Sequence, residues 1–452
     1  MKQSNFLKEL FLIATAVACI AMINVRCKSR AASNEGYNDR TATLLAIPPL
    51  FERTGELSKA TEWPRTKTKV AELTQKVAVN ANDIKSRLQI ATIYMSEVRI
   101  TGQASYYYPA IIKILDAVLS MDPKNFEAMV YQSSVRMSLH QFAQAKEMAE
   151  KAKALNPDNA YVYGMLVDAN VELGNYKEAI AMSDKMQALK PSLESYSRAS
   201  YLREIFGDYP GAIQAMEMAV GAGVPGSESC EWARVALGDL FLNTGKLDSA
   251  ELAYKTSLEL RPAFPNAEIG LAKLERAKKN YEAAISHTEN AIRIVSEASY
   301  VSLLGELYML KGDKIKAEEI NNDVIRLLEK GEEEQRSSLV KHNGNRELAN
   351  AYFAANKLGK AMEYAKNDLQ LRPDNIDANE LVAWIAYLEG DAVLAKTCAD
   401  KMMATNSMNA NMLSKAAMIY KRSGDANKSE MLMTKARAVT PYIDERIKMR
   451  SI

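Results

Sequence analysis

Histidine and cysteine are the side chains best suited to metal binding and nucleophilic catalysis, and this chain of 452 residues has few of them. Its three histidines are His140, His287 and His342. None of them has a cysteine, a histidine or a carboxylate at the sequence spacing that is typical of a zinc site. The sequence therefore predicts neither a metal site nor a cofactor.

Motifs for catalysis are missing as well. The chain has no Gly-x-Ser-x-Gly nucleophile elbow, and the glycines at 221–223 fit a turn between elements better than a phosphate-binding loop. Cys230 and Cys398 have no histidine nearby and are 168 residues apart, so we expect two free thiols in the core. We predict no catalytic residues and a protein that is not an enzyme.

The charge of the chain argues against a nucleic-acid partner. The 58 basic and 56 acidic residues give a formal net charge of only +2. Binding to nucleic acid requires a basic surface that neutralises phosphates. The largest local block of like charge is acidic, Glu332 to Glu334. We therefore expect no nucleic-acid binding.

A period of 34 residues indicates how the elements are arranged. Prolines recur at this interval, and two later prolines are separated by twice the interval. These prolines are Pro123, Pro157, Pro191 and Pro225, followed by Pro373 and Pro441. A fixed period of this size indicates a stack of helix pairs, in which each unit buries its core against its neighbours. Abundant helix formers and the lack of alternating strand patterns predict an all-α fold.

One repeat shows the full pattern, between Glu231 and Pro262. Its signature residues are Trp232, Leu237, Gly238 and Phe241 on the first helix, Gly245 at the turn, and Ala250, Tyr254 and Leu258 on the second helix. This pattern resembles the tetratricopeptide repeat, except that Ser257 stands where alanine is usual. The resemblance covers about residues 80–441, in ten units that begin near residues 82, 124, 158, 192, 226, 263, 297, 338, 374 and 408.

The resemblance implies a right-handed superhelical solenoid of antiparallel helix pairs. We divide the chain into a signal peptide or membrane anchor at 1–27, a linker and N-terminal cap at 28–64, the repeat array at 65–441 and a C-terminal cap or tail at 442–452. Residues 65–79 are expected to be helical, and residues 44–51 to dock as a cap. Two insertions, at 101–108 and 330–341, are interpreted as tolerated surface loops.

The N-terminus predicts export or membrane attachment. Lys2 and Lys8 precede an apolar run at 10–25, which is followed by Arg26. Three alternatives remain open: a cleaved signal, a lipoprotein signal modified at Cys19 or Cys27, and an uncleaved anchor. We expect a protein of the bacterial periplasm, or one that is anchored in the membrane and faces the periplasm.

The resemblance also implies that first helices line a concave face that binds protein or peptide partners. The candidate binding residues are Tyr161, Asp168, Glu194, Tyr201, Glu204, Trp232, Asp239, Arg346, Asn350, Trp384 and Tyr387. The candidates up to Asp239 are acidic and aromatic with no basic partner at the same repeat positions, which suits a basic or amphipathic peptide. Leu381 and Asn411 replace the polar residues needed for a clamp on a C-terminal carboxylate, so we expect no clamp.

Three functions follow from this resemblance. The leading hypothesis is a non-catalytic interaction scaffold of the cell envelope. The alternatives are a periplasmic chaperone or carrier for unfolded or amphipathic segments, and a protein that recruits enzymes in polysaccharide export.

Overall fold

The computed structural model describes residues 47–335, 341–443 and 447, and these residues form helices and no strands. The α-helices are α1 Trp63–Val79, α2 Ile84–Thr101, α3 Ala104–Met121, α4 Phe126–Ser138, α5 Phe142–Leu155, α6 Ala160–Glu172, α7 Tyr176–Leu189, α8 Leu193–Ile205, α9 Tyr209–Ala222, α10 Glu228–Asn243, α11 Leu247–Leu260, α12 Pro265–Ala277, α13 Tyr281–Ile294, α14 Ala298–Lys311, α15 Lys314–Gln335, α16 Asn345–Ala354, α17 Leu358–Leu371, α18 Ile376–Glu389, α19 Ala392–Met402, α20 Ala410–Arg422 and α21 Ala426–Val439. A 3-10 turn, Gly55–Lys59, precedes them. The all-α prediction is confirmed.

Helices α2 to α21 form ten successive pairs, each made of an even-numbered first helix and an odd-numbered second helix. An alanine near the start of the second helix recurs in eight of the pairs and is at most 1% exposed. These alanines are Ala145, Ala179, Ala212, Ala250, Ala284, Ala317, Ala361 and Ala395. A small side chain at this point lets the two helices of a pair approach closely. The predicted solenoid of helix pairs is confirmed.

The turn inside each pair requires a residue with a positive φ. Gly174 fills this place in the third pair with φ +79°, and His140 fills it in the second pair with φ +55°. A non-glycine residue rarely adopts this conformation, and asparagine and histidine do so more readily than most. Asn356 occupies the same place in the eighth pair.

First helices lie on the inner side of the curved array. Neighbouring first helices contact one another from α2 to α12, and again between α14 and α16 and between α18 and α20. Neighbouring second helices make no contact of comparable extent in the described residues. The array therefore curves toward the first helices, whose exposed surface we call the inner face.

The array winds back onto itself after about six pairs. The backbone N–H of Asn343 donates to the carbonyl of Leu139 at 2.9 Å, and the backbone N–H of Ile376 donates to the Tyr176 hydroxyl at 2.9 Å. The second pair of residues is 200 positions apart, close to six times the period of 34. We call the contacts between residues 139–207 and residues 341–408 the seam.

The hydrophobic core continues across the seam. Val171 and Leu202 from the first turn share one apolar cluster with Leu348, Val382 and Leu413 from the second turn. The expectation that each unit buries its core only against sequence neighbours is therefore wrong for these pairs. Six repeats complete a turn, so the third and ninth pairs become neighbours in space.

The N-terminal segment docks onto the first pair. The Tyr106 hydroxyl donates to the carbonyl of Pro49 at 2.6 Å, and the backbone N–H of Phe51 donates to the Tyr107 hydroxyl at 3.1 Å. The predicted docking of the cap is confirmed for residues 47–51. The interpretation of residues 101–108 as a surface loop is wrong. Helix α3 begins at Ala104, and its Tyr107 is fully buried beneath the N-terminal segment. The helix expected at 65–79 is α1.

The insertion at 330–341 reaches the seam. Helix α15 extends to Gln335, and beyond the undescribed residues 336–340 the carbonyl of Lys341 accepts a hydrogen bond from Gln141 Nε2 at 2.6 Å. This end of the insertion contacts the neighbouring turn while Lys341 remains exposed, and the tolerance of the insertion stays a prediction.

The predicted signal or anchor and its two cysteines lie outside the described residues. Among the helices that are described, none has the length and the apolar composition needed to cross a bilayer. Cys230 and Cys398 are buried free thiols, as predicted.

Candidate functional site: the inner face of the repeat array

Three aromatic side chains remain exposed on successive first helices. Tyr161 on α6, Tyr201 on α8 and Trp232 on α10 have 41%, 45% and 45% of their surface accessible. The opposite sides of these helices pack against second helices, so the three aromatic side chains lie on the inner face. Exposed aromatic residues on neighbouring elements are typical of surfaces that bind partners.

Two of the predicted acidic residues carry basic partners, contrary to expectation. Asp168 forms a bidentate pair with Arg198, with oxygen–nitrogen distances of 2.6 and 2.8 Å. Asp239 accepts hydrogen bonds from Tyr254 at 2.7 Å and from Lys273 at 3.1 Å. Arg198 and Lys273 belong to the following first helix, and their long side chains reach back along the array. The expectation of an unpaired acidic face fails for these two residues because it compared only equivalent repeat positions.

Glu204 and Asp377 form no ion pair in the described part of the chain. Burial raises the pKa of Glu204 to about 7, with the charges of Asp239 and Asp377 adding to the effect and a hydrogen bond from Asn243 opposing it. The pKa of Asp377 rises to about 6, chiefly because the protein around the inner face partly desolvates this otherwise exposed carboxylate, and then through the charge of Glu380.

Tyr201 lies among these carboxylates. The protein that surrounds the inner face partly desolvates its hydroxyl and raises its pKa well above the usual value, although 45% of the side chain is accessible, and the charges of Asp377, Glu172 and Glu204 raise it further. Asp377 comes from the second turn and the other two from the first turn, so the seam assembles this group. The sequence places Asp377 on a first helix, but nothing in the 34-residue period shows that six repeats close a turn.

Glu194 is the remaining acidic candidate of the first half. Its side chain is exposed, and its backbone carbonyl accepts a hydrogen bond from Arg198 NH1 at 3.0 Å. Glu194 therefore lies beside the Asp168–Arg198 pair, at the edge of the exposed aromatic surface.

The inner face of the second half is filled by its own side chains. Trp384 is only 2% exposed and stacks on Tyr387, with ring centroids 5.1 Å apart. Lys415 Nζ lies 5.9 Å from the Trp384 ring and 2.8 Å from a carboxylate oxygen of Glu380. The expectation that Trp384 lines an open surface is wrong, because its neighbours cover it.

Arg346 and Asn350 lie at the beginning of the second turn. Asn350 is exposed and donates to the carbonyl of Arg346 at 2.9 Å. The Arg346 guanidinium lies 3.3 Å from His140 Nε2 and 3.9 Å from Glu172 Oε2. Arg346 therefore belongs to the seam more than to the open face.

The fold and this face define a helical-repeat scaffold for protein–protein interaction. Residues 136–199 and residues 235–299 each match a family model described as the tetratricopeptide repeat. These matches lie within the ten helix pairs, so the chain contains tetratricopeptide repeats. No curated protein matches the chain.

Several solved structures are similar in fold. A thermophilic TPR protein of Thermus thermophilus is 19% identical, with 42% of this chain and 98% of that chain covered and a TM-score of 0.38. The APC/C hetero-tetramer Cut9-Hcn1 is 14% identical, with 88% and 62% covered and a TM-score of 0.43. PilW, a type IV pilus biogenesis factor, is 18% identical, with 44% and 91% covered and a TM-score of 0.38.

Proposed function

We propose that this protein is a non-catalytic scaffold of the bacterial cell envelope that binds a basic segment of a partner protein on the first half of its inner face. One observation carries the proposal. The accessible Tyr201 side chain lies among Glu204 and Asp377, whose charges have no basic partner in the described residues. A lysine or arginine of the partner would supply the positive charge that pairs with these carboxylates. Tyr161 and Trp232 would contact apolar side chains of the same partner segment.

Electrostatics favour such a ligand because the carboxylates are poorly compensated in the free protein. Their raised pKa values mean that their charged forms are poorly solvated. A bound cation stabilises the charged form, so peptide binding and proton release are linked. Affinity is expected to fall as the pH drops through the interval between about 7 and 6, where Glu204 and Asp377 become neutral.

Peptide binding can be tested with two labelled peptides of equal length, one rich in lysine and leucine and the other with glutamate in place of each lysine. Fluorescence anisotropy with the purified protein should show tighter binding of the basic peptide. Tyr201→Ala and Glu204→Gln should each weaken binding about tenfold, the loss of one stacked or paired contact. Tyr442→Ala, which changes an exposed tyrosine at the C-terminal end, is the matched control. Equal affinity for both peptides would contradict the proposal.

The envelope setting rests on the charged start and the apolar run of residues 2–26. Mass spectrometry of the protein from its native cells tests this setting. A start within residues 15–30 would support export, and a lipid on Cys19 or Cys27 would support membrane attachment. An unmodified start at Met1 in a cytoplasmic fraction would refute export.

A periplasmic chaperone or carrier is the second candidate, and the exposed aromatic side chains on three successive first helices favour it. Such a surface binds apolar segments with little regard for sequence. Cross-linking in membranes followed by affinity purification separates the two functions. A scaffold yields one partner in stoichiometric amount, whereas a chaperone yields many partners in small amounts.

A further inference from the structure

The seam brings together three side chains that commonly bind metal ions. His140, His342 and Glu347 each offer one ligand atom, and these atoms lie within 4.8 Å of one another. No other group of three histidine, cysteine or acidic side chains in the described residues is arranged in this way. We propose that the three side chains form a binding site for a divalent transition-metal ion, with Zn²⁺ as the ion that best matches two imidazoles and a carboxylate.

The orientation of His140 fits the role of a ligand. Its Nδ1 lies 3.2 Å from the carbonyl oxygen of Asn343 and 3.5 Å from Oε1 of Glu347. A proton on Nδ1 donated to Asn343 leaves the lone pair of Nε2 available for a metal ion. Metal-binding histidines generally make this second hydrogen bond, which fixes the ring and its tautomer.

Glu347 supplies an independent observation that favours cation binding. Its Oε2 atom is buried and has no hydrogen-bond partner among the described residues. A buried carboxylate oxygen with no hydrogen-bond partner is costly unless a cation completes its environment.

Arg346 is the group that competes with a metal ion. Its NH2 atom lies 3.3 Å from His140 Nε2, and its Nε atom lies 3.6 Å from Glu347 Oε1. The Arg346 side chain is 36% exposed, and its NH1 is already 3.9 Å from Glu172 Oε2. A rotation of the Arg346 side chain toward Glu172 would free both ligands.

Small adjustments of the side chains bring the ligands to bonding distance. Zinc bonds of about 2.0–2.2 Å place tetrahedral ligand atoms roughly 3.4 Å apart. His342 lies in the segment before α16, and Glu347 lies in the first turn of that helix. Rotation about their side-chain bonds would close the group around the ion, and a water molecule would complete a tetrahedral site. The bound ion would tie this segment to the turn at His140 and so add a link across the seam.

The test uses untagged, chelator-treated full-length protein and titration with ZnCl₂ against a chromophoric chelator. We expect one high-affinity ion per chain, and with Co²⁺ the visible absorption of a four-coordinate site. His140→Asn and His342→Ala should abolish this binding, and Glu347→Gln should weaken it at least tenfold. Asparagine is chosen at position 140 because Asn356 adopts the same positive φ in the equivalent turn. Zinc should also raise the midpoint of thermal unfolding of the unmodified protein by about 2 °C or more, and leave that of His140→Asn unchanged.

Two further variants sharpen the test. His287→Ala alters the histidine that pairs with Glu268 at 2.6 Å elsewhere in the array, and should leave the affinity for zinc unchanged. Arg346→Met removes the competing cation and should tighten zinc binding. Zinc binding that survives in His140→Asn, or no stoichiometric binding in any variant, would overturn the proposal and leave Arg346 as the partner of His140 and Glu347.

Discussion

The two halves of the inner face differ in whether their aromatic side chains are exposed or covered. In the first half, Tyr201 and Trp232 are each 45% exposed, and Glu204 near Tyr201 forms no ion pair in the described residues. In the second half, Trp384 stacks on Tyr387, and Glu380 pairs with Lys415 at 2.8 Å. Equivalent helix pairs thus leave their inner surface exposed in one turn and cover it with their own side chains in the other. The difference favours binding in the first half and structural support in the second.

The two tryptophans give the largest expected contrast. Trp384→Ala should lower the free energy of unfolding by about 3–5 kcal/mol, because it leaves a cavity beneath Tyr387 and Lys415. Trp232→Ala should cost less than about 1 kcal/mol, because nearly half of the side chain is already in solvent. Urea unfolding followed by circular dichroism measures both values. Equal losses would remove the distinction between the two halves.

Two arginines in ion pairs extend the contrast to the seam. Arg372 is 1% exposed and binds both Asp368 at 2.7 Å and Glu172, in the other turn, at 2.6 Å. Arg372→Ala leaves these carboxylates without their partner and should cost about 3 kcal/mol. Arg198→Ala breaks a pair that is partly in solvent and should cost about 1 kcal/mol. Shifts in the urea midpoint are the measurement, and a larger loss for Arg198→Ala would contradict the assignment of the seam.

Two glycines test the seam without a change of charge. Gly174 and Gly424 both have positive φ, so alanine is strained at each by about 1 kcal/mol. A Cβ at Gly174 would lie 2.4 Å from the backbone of Asp374 across the seam, whereas one at Gly424 would meet nothing within 4 Å. Gly174→Ala should therefore cost about 2 kcal/mol more than Gly424→Ala in thermal unfolding, the order of an overpacked contact. Similar costs would mean that the two turns separate easily.

Replacing each of two glutamates by glutamine should change the stability of the protein in opposite directions. The folded protein holds a proton on Glu204 up to about pH 7, above the usual pKa, so its stability falls as the pH rises from about 4.5 to 7. At pH 8, Glu204→Gln should stabilise the protein by roughly 1–2 kcal/mol, a value reduced for partial exposure to solvent. Glu380→Gln, which breaks the pair with Lys415, should destabilise it by about 1 kcal/mol. Thermal unfolding at pH 8 and pH 5 checks both signs, and a stabilising effect of Glu204→Gln that persists at pH 5 would contradict the raised pKa.

The sequence predicts the repeat and not its winding. The period, the alanines and the turn residues recur within each unit, so local patterns suffice for the helix pairs. The seam depends on small rotations that accumulate over six units, and no single unit encodes them. Sequence spacing therefore does not predict the contacts of Asp377 or the group of His140, His342 and Glu347. Their partners across the seam are about 200 residues away in the sequence.

The open aromatic surface was easier to predict than its charge. Tyr161, Tyr201 and Trp232 are exposed where the family pattern places partner-binding residues. The partners of Asp168 and Asp239 were missed because long basic side chains reach back from the next first helix. Whether these residues bind a partner remains a prediction.

The seam sets a rule for how this molecule can change in length. Repeat arrays ordinarily tolerate the gain or loss of a single unit, because each unit meets only its neighbours. In this protein, Tyr176 contacts Ile376 across the seam. The loss of one 34-residue unit between the third and ninth pairs would shift the second turn by one repeat, so that Tyr176 would face a different loop and lose this contact. Deletions of one repeat should therefore be lethal to the fold inside the turn and mild at the C-terminal end. We therefore expect the array to tolerate a change in the number of repeats only at its C-terminal end, because the seam fixes the register of the other repeats.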